Sequence, residues 1–134
     1  MLMESLSGFV PFITYFAVGY ILILSFLFIY SKVTPYCEWS LMQQNNRTAA
    51  IAFGGSFLGF TLVIASAAVN SVSLVDFAIW GVIGCVTQLV TFFAVKFYIA
   101  NLVERISKDE LSAGIFLAVA SLATGLLNAA CMSY

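Results

Sequence analysis

Residues 9–30, FVPFITYFAVGYILILSFLFIY, decide the fold, because the run holds no charged side chain and is long enough to cross a bilayer as one helix. A hydrocarbon core about 30 Å thick needs about 20 helical residues. Pro11 falls in the opening turn, where a missing N–H is harmless. Working outward, three further apolar runs follow at about 48–69, 75–98 and 111–133. Only Asp76 and Lys96 bring charge into them, and both stand at the ends of the third run, where a long or polar side chain can reach water. Continuous stretches such as Ile21-Leu22-Ile23-Leu24 lack the in–out alternation of a membrane β-barrel, the other structure able to satisfy its backbone in lipid.

Composition agrees. Of 134 residues, 63% are hydrophobic and 8% are charged, against roughly 25% charged in soluble domains. Mean hydropathy is +1.07. The reading is an all-α membrane protein in which residues 1–134 form a single domain of four transmembrane helices, embedded in the lipid bilayer. No Lys or Arg precedes the first run and no small-residue cleavage site follows it, so it is expected to remain as a span. The net charge of −1 singles out no partner. Five cations spread over two short loops make no stripe for tracking phosphates, which argues against nucleic acid.

Those five cations, Lys32, Arg47, Lys96, Arg105 and Lys108, lie in or beside the gaps at 31–47 and 99–110. The N-terminal tail, the turn at 70–74 and the C-terminus hold none. Cytoplasmic loops collect Lys and Arg, so both larger loops are expected inside and both termini outside, which for a bacterium is the periplasm. Tyr30, Tyr36, Trp39 and Tyr98 are then expected to anchor the inner interface, and Trp80 and Tyr134 the outer one. Asn46-Arg47-Thr48 fits a glycosylation sequon, but it faces the wrong side on this topology.

A shift of about 63 positions lays the second span on the fourth: Ala50 falls on Ala113, Phe53 on Phe116, Thr61 on Thr124 and Ala67 on Ala130. The first and third spans match more loosely. Residues 1–70 and 71–134 thus read as two helical hairpins entering from the same side, a parallel repeat whose pseudo-two-fold axis lies along the membrane normal.

The helix faces carry small-residue stripes: Gly55 and Gly59 on the second span, Gly81 and Gly84 on the third, Gly114 and Gly125 on the fourth. Small side chains let helix backbones approach, so these faces are expected to pack on other helices. Gln88, Thr91, Ser121 and Asn128 lie among them, either lining a polar path or joining helices by hydrogen bonds. On the loops, Trp39, Arg47, Arg105 and Lys108 are candidate contacts for a cytoplasmic partner, and residues 101–106 continue the helical spacing of the third span with Leu102 and Ile106 on one side.

The sequence has no His, no carboxylate within a span, no Ser–His or Cys–His pair and no phosphate-cradling glycine loop. Cys37, Cys85 and Cys131 match no disulfide or zinc spacing and read as packing residues. No catalytic residue, cofactor site or metal site is therefore assigned, and no enzyme is expected. The four-helix small multidrug exporters keep a Glu in their first helix, whereas here Glu4 precedes the first span and the next acid is Glu38.

Particular segments carry a family resemblance. They are residues 28–35 (Phe-Ile-Tyr-Ser-Lys-Val-Thr-Pro), Glu38-Trp39, Asn45-Asn46-Arg47-Thr48-Ala49-Ala50 and Asn128-Ala129-Ala130-Cys131-Met132. In these the chain resembles the YjfL-type inner-membrane proteins of the domain-of-unknown-function 350 family, DUF350, over essentially its whole length. It departs at Glu110-Leu111-Ser112-Ala113-Gly114, where the family often has Asn-Thr-Ala-Ala-Gly. The resemblance implies paired two-helix units in the bacterial inner membrane and no assigned reaction. It also implies company with phage-shock-type membrane-remodelling proteins and with ATP-grasp ligases related to glutathionylspermidine synthase. The expectation is a non-enzymatic, homo-oligomerising membrane component of an envelope-stress or membrane-maintenance system, docking a phage-shock-type cytoplasmic membrane protein. The alternative is a small channel or transporter for an ion or small solute.

Overall fold

A computed structural model describes residues 2–34 and 38–132, which are helical throughout apart from short connections. In chain order the elements are α1 (Leu2–Ser7), α2 (Phe9–Val33), α3 (Glu38–Gln43), α4 (Arg47–Asn70), α5 (Leu74–Tyr98), α6 (Leu102–Ser107) and α7 (Leu111–Cys131). Four helices, α1–α2 taken together, α4, α5 and α7, are long and apolar enough to cross a membrane. Tyr36, Cys37 and Tyr134, for which interface or loop positions are expected, lie outside the described residues.

At the heart of the bundle α4 and α7 lie side by side and run the same way. Thr48 meets Gly114 at one end, Gly55 meets Ala118 further along, and Ser66 reaches Ala129 towards the other end. The approach is close because glycine permits it. A Cβ on Gly55 would stand 2.4 Å from the Ala118 Cα, and one on Gly125 would stand 2.2 Å from the Gly59 carbonyl oxygen. In lipid there is no hydrophobic drive between helices, so association rests on such packing and on interhelical hydrogen bonds.

Helix α5 lies antiparallel over the α4–α7 groove, with Gly84 against Val63. Helix α2 closes on α4 and α5: Gly19 rests on Ile64 and Phe77, and Phe26 stacks on Phe60 with ring centroids 4.3 Å apart. Its remaining surface is bulky and exposed, as expected of a lipid-facing helix.

The two short helices α3 and α6 share one end of the bundle, called here the loop end, and both stop in the same way. Asn45 and Asp109 take left-handed backbone (φ 62° and 61°), which Asn and Asp tolerate better than most residues. After α3, the Asn46 N–H donates to Leu41 O (2.9 Å) and the Asn45 N–H to Met42 O (3.0 Å). After α6, the Glu110 N–H donates to Arg105 O (2.9 Å) and the Asp109 N–H to Ile106 O (3.0 Å). Both are Schellman turns, which satisfy the last carbonyls of a helix and turn the chain back into the bundle.

Two expectations change, and one burial is new. Residues 101–106 do not continue the third span: Asn101 is left-handed (φ 60°) and starts a separate helix, whose Leu102 and Ile106 are buried. Tyr30 is no interface anchor, being 1% exposed among Phe26, Phe53 and Phe92. Glu38 belongs to the hydrophilic loop by sequence, yet it is also 1% exposed. Trp39 and Tyr98 do lie partly or largely open, at 50% and 80%.

Candidate functional site

The polar side chains inside the bundle form a seam between α4, α5 and α7. Ser56 Oγ lies 3.0 Å from the Tyr30 hydroxyl and 3.1 Å from the Ser121 hydroxyl, so it can donate to one and accept from the other. Gln88 Nε2 donates to the Ser121 carbonyl (3.0 Å), Thr91 Oγ1 to Thr124 Oγ1 (2.9 Å) and Asn128 Nδ2 to Thr87 Oγ1 (2.7 Å). All four residues singled out from the sequence therefore sit on one seam, and each takes part in a hydrogen bond to a neighbouring helix. Such bonds contribute about 0.6 kcal/mol each on average in a membrane bundle. Gln88 is fully buried, and its Oε1 has no partner among the described residues.

The six glycines lie on the same contacts. Gly55, Gly59, Gly114 and Gly125 make the α4–α7 approach, Gly84 meets Val63 of α4, and Gly81 meets Leu22 of α2. Their partners are helices of the same chain.

At the loop end, Asn46 is the joint. Its Oδ1 accepts from the Ala49 N–H (2.9 Å), capping α4, and its Nδ2 donates to Ile106 O (2.9 Å) and Ser107 O (3.3 Å) at the end of α6. Asp109 answers from the other side, where one carboxylate oxygen accepts from both the N–H and the hydroxyl of Thr48 (2.9 and 2.7 Å). Hydrogen bonds from Thr48, chiefly that from its side chain, hold the Asp109 carboxyl below the usual carboxylate range. Four bonds thus tie the two loops into one surface.

On that surface Trp39 presents its ring edge-on to Phe53, Arg47 and Lys108 are exposed, and Arg105 is half-buried. Arg105 pairs with Glu110 at 3.4 Å and donates to Ser112 (3.1 Å).

Sequence reasoning missed Asn46, Asp109, Tyr30 and Glu38. An N-cap signal was present, since Asn46 stands just before a long apolar run. For Glu38 the signal was an acid four residues after Thr34 and beside Trp39, close to the end of a span. The Thr34 hydroxyl donates to Glu38 Oε1. Among the described residues no group of His, Cys, Asp and Glu is arranged to hold a metal.

Four spanning-length helices around a hydrogen-bonded seam define a multi-pass, all-helical membrane protein, and the named relatives place it in the inner membrane. The chain belongs to the family described as Domain of Unknown Function (DUF350), which it matches over residues 3–132. It is 43% identical over 132 residues to the UPF0719 inner membrane protein YjfL of Escherichia coli (strain K12), covering 98% of this chain and 100% of that one. It is 29% identical over 118 residues to the UPF0719 transmembrane protein YshE of Bacillus subtilis (strain 168), covering 87% of this chain and 88% of that one. No solved structure matches it.

Proposed function

We propose that the chain is a non-enzymatic membrane component whose loop end docks a cytoplasmic, membrane-associated partner of the phage-shock type. The observation that carries this reading is the tie between the loops through Asn46 and Asp109, which turns two short connections into one pre-organised surface. Pre-organisation lowers the ordering cost of binding. Around the tie stand Trp39, Arg47, Arg105 and Lys108, an aromatic and three cations of the kind enriched at, or steering towards, protein contacts. The proposal takes the loops as cytoplasmic and the termini as periplasmic, on the charge asymmetry. It takes the two hairpins as a parallel repeat, to which the matching Schellman turns add support.

A channel or transporter would need Gln88, Thr91, Ser121 and Asn128 to face a hydrated path, whereas each makes its bond to another helix. Homo-oligomers would have to use faces other than the glycine stripes, which pack within the chain; the exposed Ile115, Phe116, Val119, Leu126 and Leu127 of α7 offer one.

The test is co-purification with the phage-shock-type protein of the same genome. Arg47→Glu with Lys108→Glu is expected to weaken the association at least tenfold, while Gln88→Leu leaves it unchanged. Association indifferent to both loop charges would overturn the docking surface. A reporter fused after Tyr134 that is active only in the cytoplasm would overturn the orientation.

A further inference from the structure

Among the described residues Glu38 is the one acid buried against the bundle, and nothing in the docking reading uses it. Its residue is 1% exposed, Oε1 accepts from the Thr34 hydroxyl, and Oε2 has no partner among the described residues. An ionised carboxylate so placed would have lost its water without gaining a cation. The usual outcome is that the group takes up a proton instead.

The surroundings agree from each packed element. On α2 the facing groups are Thr34, which donates to Glu38, and the uncharged Tyr30 phenol, while Lys32 is exposed and stands over the Phe28 ring. On α4 the charged residue is Arg47, which is exposed and acts on Asp109 instead. Lys96 of α5 is exposed as well.

From this geometry we infer that Glu38 is a proton-binding site: the carboxyl is held neutral inside the loop end with its proton on Oε2, and losing that proton lifts α3 away from α4. Burial pushes the Glu38 carboxyl above the usual carboxylate range, and the Thr34 bond partly offsets this. The folded state then binds the proton more tightly than the unfolded chain does. Stability contributed at the loop end is therefore full at acid pH and declines as pH rises from the ordinary carboxylate range through the raised value. Trp39, the next residue, packs on Phe53 of α4 and reports the movement of α3.

The experiment uses the full chain in lipid nanodiscs and the apolar probe dicyclohexylcarbodiimide. The probe takes the proton of a neutral carboxylic acid and bonds its central carbon to the carboxyl oxygen, so it labels buried, protonated acids. Labelling is expected at Glu38 at neutral pH, falling as pH rises, and in preference to the exposed Glu4 and Glu104. Thr34→Val removes a bond that favours the ionised form, so its labelling should persist to higher pH. In a Trp80→Phe background, Trp39 emission should shift over the same pH range, and Glu38→Gln should abolish that shift. The site is overturned if Glu38 labels no better than Glu104, or if Thr34→Val leaves the pH dependence unmoved. The coupling to α3 is overturned if Trp39 emission is flat with pH, or shifts equally in Glu38→Gln. Neither outcome bears on partner binding, which is read separately by co-purification.

Discussion

Helices α4 and α7 leave the same kind of turn yet are held at their starts by different means. Each follows a Schellman turn with a left-handed Asn or Asp. At α4 the next residue, Asn46, caps the helix and crosses to α6, and Asp109 adds two bonds from the other half of the chain. At α7 the corresponding Glu110 caps nothing and turns back to Arg105. The backbone device is common to both, but the side chains make only one start a junction. Helix α4 is thereby anchored from both halves, whereas α7 is positioned by the fit of Gly114 on Thr48 and by the Arg105–Ser112 bond from its own half.

The largest effect should come where the two helices meet rather than where either begins. Gly125→Val places side-chain atoms against the Gly59 backbone, which has no flexible end to move aside. Overpacking typically costs about 1–3 kcal/mol and occasionally more, and with backbone on the far side the top of that range is expected, read as a fall in the midpoint of thermal unfolding in bicelles. Gly54→Ala is the control, because a Cβ there meets nothing within 4 Å. Equal losses from both would show that the seam is not close-packed.

Asn46→Ala comes next, with a loss of about 1–2 kcal/mol from the cap and, with the tie to α6 cut, faster amide exchange at Ser107 and Lys108. Asn46→Asp sharpens the point by keeping the cap and removing only the crossing donors, so an intermediate loss is expected. Glu110→Ala should cost less than about 0.5 kcal/mol, since its partly exposed ion pair is screened by water. A loss there as large as for Asn46→Ala would erase the difference between the two starts.

The smallest effect concerns acid. Asp109 is stabilised as the anion by Thr48, so its contribution is present above the ordinary carboxylate range and lost as pH falls through the lowered value. Asp109→Asn should flatten that acid limb in unfolding midpoints measured against pH. The sense is opposite to that of Glu38, so the two variants separate the limbs.

The spans were legible in the sequence because hydrocarbon filters composition strongly: four apolar runs with charge only at the ends of one leave little choice of element. The glycine faces were legible as packing surfaces, since Gly55 and Gly59 show their spacing along one helix. Their partners were not, because nothing local pairs Gly55 with Ala118 rather than with a second copy. Tyr30 was misplaced, and Glu38 passed over, for a related reason. Their residue types favour an interface, and only the convergence of α2, α3 and α4 puts them under cover. Asn46 matched a modification motif and a helix cap at once, and the cap is the feature the fold uses.

The pairing of α4 with α7 also bears on biosynthesis. The closest helix approach among the described residues joins two helices separated by two others in the chain, so it forms only after α7 has left the ribosome and entered the bilayer. Until then the Gly55 and Gly59 face of α4 lacks its α7 partner. Synthesis halted after α6 should yield membrane-inserted chains that lack their central clasp and fall to quality-control proteases.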